Sequence, residues 1–299
     1  MDRASITEAE ARLLAVEVSN AGRWGASDEL GTLNFITAAK RQRALAHATS
    51  GEVISIGKDI PYGEGPHGPG AVHLMTLGPE VSSQDALLIT PHGYDITHLD
   101  AVGHSFLDGA MYNGRRAAEH VTATGLGFGS TLAASDGIVT RGVLLDIAAL
   151  HGVAFLGQGY GISVADLEAC ERATGVNVES GDAIFVRSGL DVRESTNGVS
   201  TSDEREGVLP EVIRWLYGRE VAVYSGDCIE MLPSGFQNLP TPLHQIGMSA
   251  MGLALLDNID AERLAEACTR FGRKDFLLVV APLRLPRATG SAVNPLAIF

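Results

Sequence analysis

The chain has 299 residues, 45% of them apolar, and its 36 acidic against 22 basic side chains leave a formal charge of −14. That composition suits an ordinary soluble globular protein, and its average surface repels phosphate backbones and anionic membranes, so neither nucleic acid nor a membrane is an expected partner. The apolar runs Phe276 to Leu283 and Met248 to Leu256 fall short of the roughly 20 residues that a bilayer-crossing helix needs.

The N-terminus, MDRASITEAEARLLAVE, carries acids where a secretory signal would carry a basic region and an unbroken apolar stretch, so a cytoplasmic location is expected. Ser5 and Thr7 each precede a glutamate by three residues, the capping-box spacing, and Leu13, Leu14, Val16 and Val18 continue a helix toward Asn20-Ala21-Gly22. Thr37 opens a second helix, AAKRQRALAHATSG, with Gly51 as its stop. Residues 1–50 are therefore expected to form a helical extension packed on a single domain spanning 51–299. VISIGKDI, AVHLMTLG and DALLITPHG are short, apolar or β-branched and bounded by Gly and Pro, which reads as strands. From residue 142 the elements alternate. Strand GVLLDIA leads to the Ser163-capped helix VADLEACERATG, then strand DAIFVRSG, helix EVIRWLYGRE, strand VAVYSGD, helix AERLAEACTRFG and strand FLLVVAPLRL. This succession predicts an α/β fold with a mixed sheet. Cys170, Cys228 and Cys268 are odd in number and form no CxxC pair, which argues against a disulfide framework or a thiolate zinc knuckle. Inert thiols are expected, with a catalytic thiol at Cys228, in the loop-like SGDCIE, as the lesser alternative.

One segment concentrates chemistry. THLDAVGH, residues 97–104, holds two imidazoles and a carboxylate. On a strand, His98 and Asp100 share a face while Leu99 points into the core, and Gly103 permits a turn that returns His104 to the same side. Neutral imidazole and carboxylate suit Zn or Mn, and three protein ligands would leave positions open for water and substrate. With nine histidines in the chain, a satisfied His–Asp pair explains the spacing equally well.

THLDAVGH, followed by Asp108-Gly109 and Met111-Tyr112-Asn113-Gly114, resembles the metal-binding signature of the cyclase family, which includes kynurenine formamidases, isatin hydrolases and trans-dienelactone hydrolases. Further blocks share the resemblance: Arg23-Trp24-Gly25 with Asp28-Glu29-Leu30-Gly31-Thr32-Leu33-Asn34, then RGVLLDIA, GDAIFVRSG and GSAVNPLAI. The resemblance implies a swivelling β/β/α fold and one divalent metal ion, Zn or Mn, held by His98, Asp100 and His104. It also implies hydrolysis of an amide, formamide or lactone of a small-molecule substrate, and a homodimer or homotetramer. Where kynurenine formamidases carry a further histidine, four residues before His98, this chain has Tyr94, which argues against a second metal; His92 could compensate or could be a loop residue. The late histidine and acid of the family pattern fall on His244 and Asp257. On that alignment His244 exchanges a proton with the attacking water and the leaving group.

A metal-dependent cyclase or dehydratase, or a non-catalytic relative with a structural metal loop, are the alternatives. Arg187 reads as a structural ion pair. Asp227, Glu230, Trp24 and Phe106 are candidates for the pocket lining, and Tyr112 and Asn113 for hydrogen bonds that fix the metal loop. No GxGxxG, P-loop or GxSxG pattern suggests a nucleotide or a serine nucleophile.

Overall fold

Nine short strands of the computed structural model, which describes residues 6–78, 81–199 and 203–299, build one mixed sheet. Numbered in chain order within that sheet they are β1 (Val53–Ser55), β2 (His98–Asp100), β3 (Ile138–Asp146), β4 (Ala183–Arg187), β5 (Val223–Gly226), β6 (Ala254–Asp257), β7 (Asp275–Val280), β8 (Gly290–Ala292) and β9 (Leu296–Ile298). Their lateral order is β1-β9-β7-β3-β4-β5-β6-β2-β8. β3 to β6 run parallel, and the remaining pairs are antiparallel.

The parallel block is mostly apolar, as suits strands covered on both faces. AIFVR and ALLD are buried at every position. Side chains alternate between two cores. Ile184, Val186, Tyr224 and Leu255 face one, together with Leu14 of the first helix, Leu167 and Leu216. Phe185, Val223 and Leu256 face the other, against Leu264 and Cys268.

Local signals place the helices. Thr7 closes a capping box with Glu10 ahead of the helix Glu8–Glu17; Ser5, the other expected cap, lies outside the described residues. Ser163 and Asp166 form a second box before Val164–Thr174, which Gly175 ends in the left-handed conformation. The second helix is shorter than expected, Ala38–Leu45. Its exit is drawn away because the Ser50 and Gly51 amides both bond the Phe299 carbonyl.

Two of the expected strands stay out of the main sheet. Val72–Gly78 pairs only with Ser82–Leu88, upstream of the DALLITPHG expectation, as a two-stranded arm. The register puts Val72, Leu74, Ala86 and Leu88 on one face, and all four are exposed. Among the described residues, no helix is long and apolar enough to cross a membrane.

Candidate metal centre

The centre is assembled where β2 meets β6 and β8. His98 stands opposite Asp257 in the antiparallel β6–β2 ladder, so the two side chains share a face of the sheet. Asp100 follows two residues later on that face, while Leu99 between them is buried in the core. On the other flank Gly290 of β8 stands opposite Asp100. A Cβ at Gly290 would come within 2.5 Å of the His92 ring, so the missing side chain is what admits that imidazole.

Four imidazoles surround Asp100. His98 Nδ1 donates to the Ile96 carbonyl at 2.8 Å, which leaves Nε2 bare, 3.5 Å from Asp100 Oδ1 and 4.0 Å from Asp257 Oδ2. His244, on a π-helical segment Leu243–Met251, donates from Nδ1 to Glu230 at 2.9 Å. Its Nε2 lies 3.6 Å from Asp100 Oδ2 and 3.5 Å from Asp257 Oδ2. His104 Nε2 is 4.0 Å from Asp100 Oδ2, and its ring stacks on His92 at 3.8 Å between centroids. His92 Nδ1 is 3.0 Å from Asp100 Oδ1, its Nε2 being bonded to Thr289 Oγ1 at 2.9 Å. His92 is thus a loop residue that nevertheless reaches the site.

The donor set fits a metal ion. Both Asp100 oxygens, Asp257 Oδ1 and His92 Nδ1 are buried without a hydrogen-bond partner, and buried polar atoms are rarely left so. Ligand atoms of His92, His98 and Asp100 all lie within 4.8 Å of one another, as do those of Asp100, His244 and Asp257. Asp100 belongs to both groups; His104 stands just outside them. Imidazole rings whose far nitrogen is tied to a carbonyl or carboxylate, as in His98 and His244, are oriented as ligands usually are.

Electrostatics agree with this arrangement. Burial opposes the Asp100 charge, but the close approach of the His244, His92, His104 and His98 imidazoles outweighs it and holds the carboxyl below its ordinary range. Burial would lower His244, yet Glu230, Asp100 and Asp257 together raise it well above an ordinary imidazole. His104 faces fewer acids, and burial pushes it down to about 4.

These groups open into a pocket of about 270 Å³. Since a cavity of roughly 150 Å³ accepts a benzene ring, there is room for a small cyclic molecule. Leu190, Ile229 and Leu232 supply apolar wall, and Asp227 and Glu230 also line it. Asp227 is nonetheless spoken for: it accepts from the amides of Ser188, Gly189 and Leu190 at 2.8 to 3.0 Å and so pins that wall.

Other candidates resolve into structural roles. Arg187 pairs with Asp146 and Glu262, each at 2.8 Å. Cys228 is buried, and desolvation raises its thiol far above the reactive range. Trp24 and Phe106 do not line the pocket: Trp24 packs edge-on against Phe35, and Phe106 packs against the cluster of Val102, Met111 and Tyr112. Tyr112 donates to Asp28 at 3.0 Å, and the Asn113 amide bonds Gly22, Gly25 and Asp28, tying the N-terminal segment to the loop after His104. Tyr94 lines the pocket mouth beneath Arg205, a residue that no spacing in the sequence singles out.

Comparison with known proteins accords with this geometry. The family model described as putative cyclase matches residues 45–231, more than half of the chain and inclusive of the His98 segment and Glu230. Isatin hydrolase of Roseibium aggregatum is 26% identical over 143 residues, which are 45% of this chain and 51% of that protein. The chain thus spans about half the length of this curated relative. A crystal structure described as a novel cyclase superposes with a TM-score of 0.82 at 24% identity, covering 94% of this chain and 99% of that one. An isatin hydrolase bound to the product analogue thioisatinate gives 0.62 at 17% identity, with 88% and 99% covered. Isatin hydrolase A from Ralstonia solanacearum gives 0.60 at 16%, with 87% and 97% covered. By its matched sequence, and with a fold shared by these structures, the chain belongs to the putative cyclase family.

Proposed function

We propose that the protein is a metal-dependent hydrolase that cleaves an amide, formamide or lactone bond of a small cyclic or N-acyl substrate. The observation that carries this reading is the bare, buried carboxylate of Asp100, ringed by imidazoles at the floor of a pocket. His98, Asp100 and His104 would hold one divalent ion, zinc or manganese, with Asp257 near enough to His98 to join them. Such an ion supplies Lewis acidity toward a carbonyl and makes water a nucleophile at neutral pH. Ile96 and Glu230 fix the rings of His98 and His244. With a divalent cation beside it to oppose the imidazolium charge, His244 would take a proton from the attacking water at Nε2 and deliver it to the departing nitrogen or oxygen, so water is consumed and an acid plus an amine or alcohol is formed. The relatives named isatin hydrolase support hydrolysis as the reaction type.

The test pairs elemental analysis of the purified protein with a proton-release assay over amides, formamides and lactones. Bound zinc or manganese with acid release on lactones supports the reading. Turnover without acid release would instead indicate ring closure or elimination.

The same proposal includes a homodimer or homotetramer. A two-stranded hairpin is marginal alone, and the exposed ladder of Val72, Leu74, Ala86 and Leu88 is the kind of apolar face that a second copy covers.

A further inference from the structure

The mouth of the pocket carries a second, distinct arrangement. Arg205 is the one lysine or arginine among the residues that line the cavity. Its guanidinium lies 3.7 Å from the centre of the Tyr94 ring, and a terminal nitrogen stands 3.1 Å from His67 Nδ1. His67 Nε2 is 2.9 Å from Glu194 Oε2. The neutral His67 ring therefore donates to Glu194 from Nε2 and accepts from Arg205 at Nδ1. The Tyr94 face fixes the plane of the guanidinium and His67 fixes its direction.

What Arg205 lacks is a counter-charge. Arg193 nearby is paired with Glu206 at 3.0 Å and Arg187 with two acids at 2.8 Å. Among the described residues, by contrast, no carboxylate lies within 4.0 Å of the Arg205 guanidinium. A planar guanidinium, oriented by neutral partners and facing a cavity, presents its remaining N–H edge to a carboxylate.

We propose that Arg205 is a substrate-binding residue that holds a carboxylate of the substrate at the pocket mouth. The substrate class is then an organic acid with one small ring, its carboxylate at Arg205, its body along Leu190, Ile229 and Leu232, and its reacting carbonyl at the floor. The word substrate rests on the hydrolase reading; the anion site itself does not.

The test is calorimetric titration of the metal-loaded full chain with benzoate and with benzamide, which share a ring and differ in charge. Benzoate is expected to bind the wild-type protein more tightly than benzamide. Arg205→Gln should weaken benzoate by about 10- to 100-fold and leave benzamide within about threefold, with metal content unchanged. Arg205→Lys, which keeps the charge but loses the planar fork, should fall between them and serves if the glutamine variant does not fold. Equal benzoate affinity in wild type and Arg205→Gln would overturn the proposal, because the carboxylate would then sit on the ion. Equal affinity of the wild type for benzoate and benzamide would overturn it as well. Since binding needs no turnover, a protein that hydrolyses nothing yet binds benzoate through Arg205 would refute the hydrolase reading alone.

Discussion

The floor and the mouth of the pocket are built on different principles. At the floor, His98, Asp100 and Asp257 stand on paired strands of a buried sheet, where ladder register sets which side chains meet. At the mouth, Tyr94, His67, Arg205 and Glu194 come from four separated stretches of chain and meet through one stacking contact and two hydrogen bonds. A floor on strands holds ligand atoms in fixed positions. A mouth built outside the main sheet can change its recognition chemistry without disturbing them.

Substitutions can break this contrast, beginning with the floor. Asp100→Ala removes the one group shared by both ligand clusters, so metal content by elemental analysis should drop to background and turnover should vanish with it; a full metal complement would sink the proposed site. His244→Gln keeps a polar side chain on the π-helical segment, and kcat should fall about 10²- to 10⁴-fold with metal retained. Loss of the metal in that variant would instead make His244 a ligand. Asp227→Asn places an amide nitrogen against backbone donors in a buried site, and urea denaturation should show a loss of roughly 2–4 kcal/mol. A smaller effect is expected outside the pocket. Leu74→Lys with Leu88→Lys should lower the oligomeric state seen in sedimentation without changing the fold; an unchanged mass would remove the arm from the interface. Smallest is the thiol response. Burial raises Cys170 to about 11 and Cys268 to about 12, so iodoacetamide at pH 8 should leave both unmodified in the native protein and label them after unfolding.

Much of the floor was legible because its logic is local. His98 and Asp100 are two residues apart on a strand, and period-two alternation alone brings them together. The resemblance to the cyclase family then pointed to His244 and Asp257, which lie 3.6 Å from Asp100 and 4.0 Å from His98 respectively. His92 was ambiguous for a physical reason: it sits in a loop, and its approach to Asp100 depends on Gly290, far along the chain. Trp24 and Phe106 misled because an aromatic near a motif is as often core as lining. Arg205 was invisible, since nothing in SDERE distinguishes a guanidinium that pairs with an acid from one left facing a cavity. The helices were read from caps, whereas the arm was read as strands but without its separation from the sheet, which depends on partners rather than on propensity.

Gly290 gives the floor a weakness that no polar residue reveals. Its backbone is ordinary, so alanine would be conformationally acceptable there, yet the added methyl would occupy space now held by the His92 ring. One carbon atom could therefore evict an imidazole from beside Asp100 while every titratable side chain stays in the sequence. Relatives that keep all the histidines could still differ in how many reach the carboxylate, and residue 290 would decide it by volume alone.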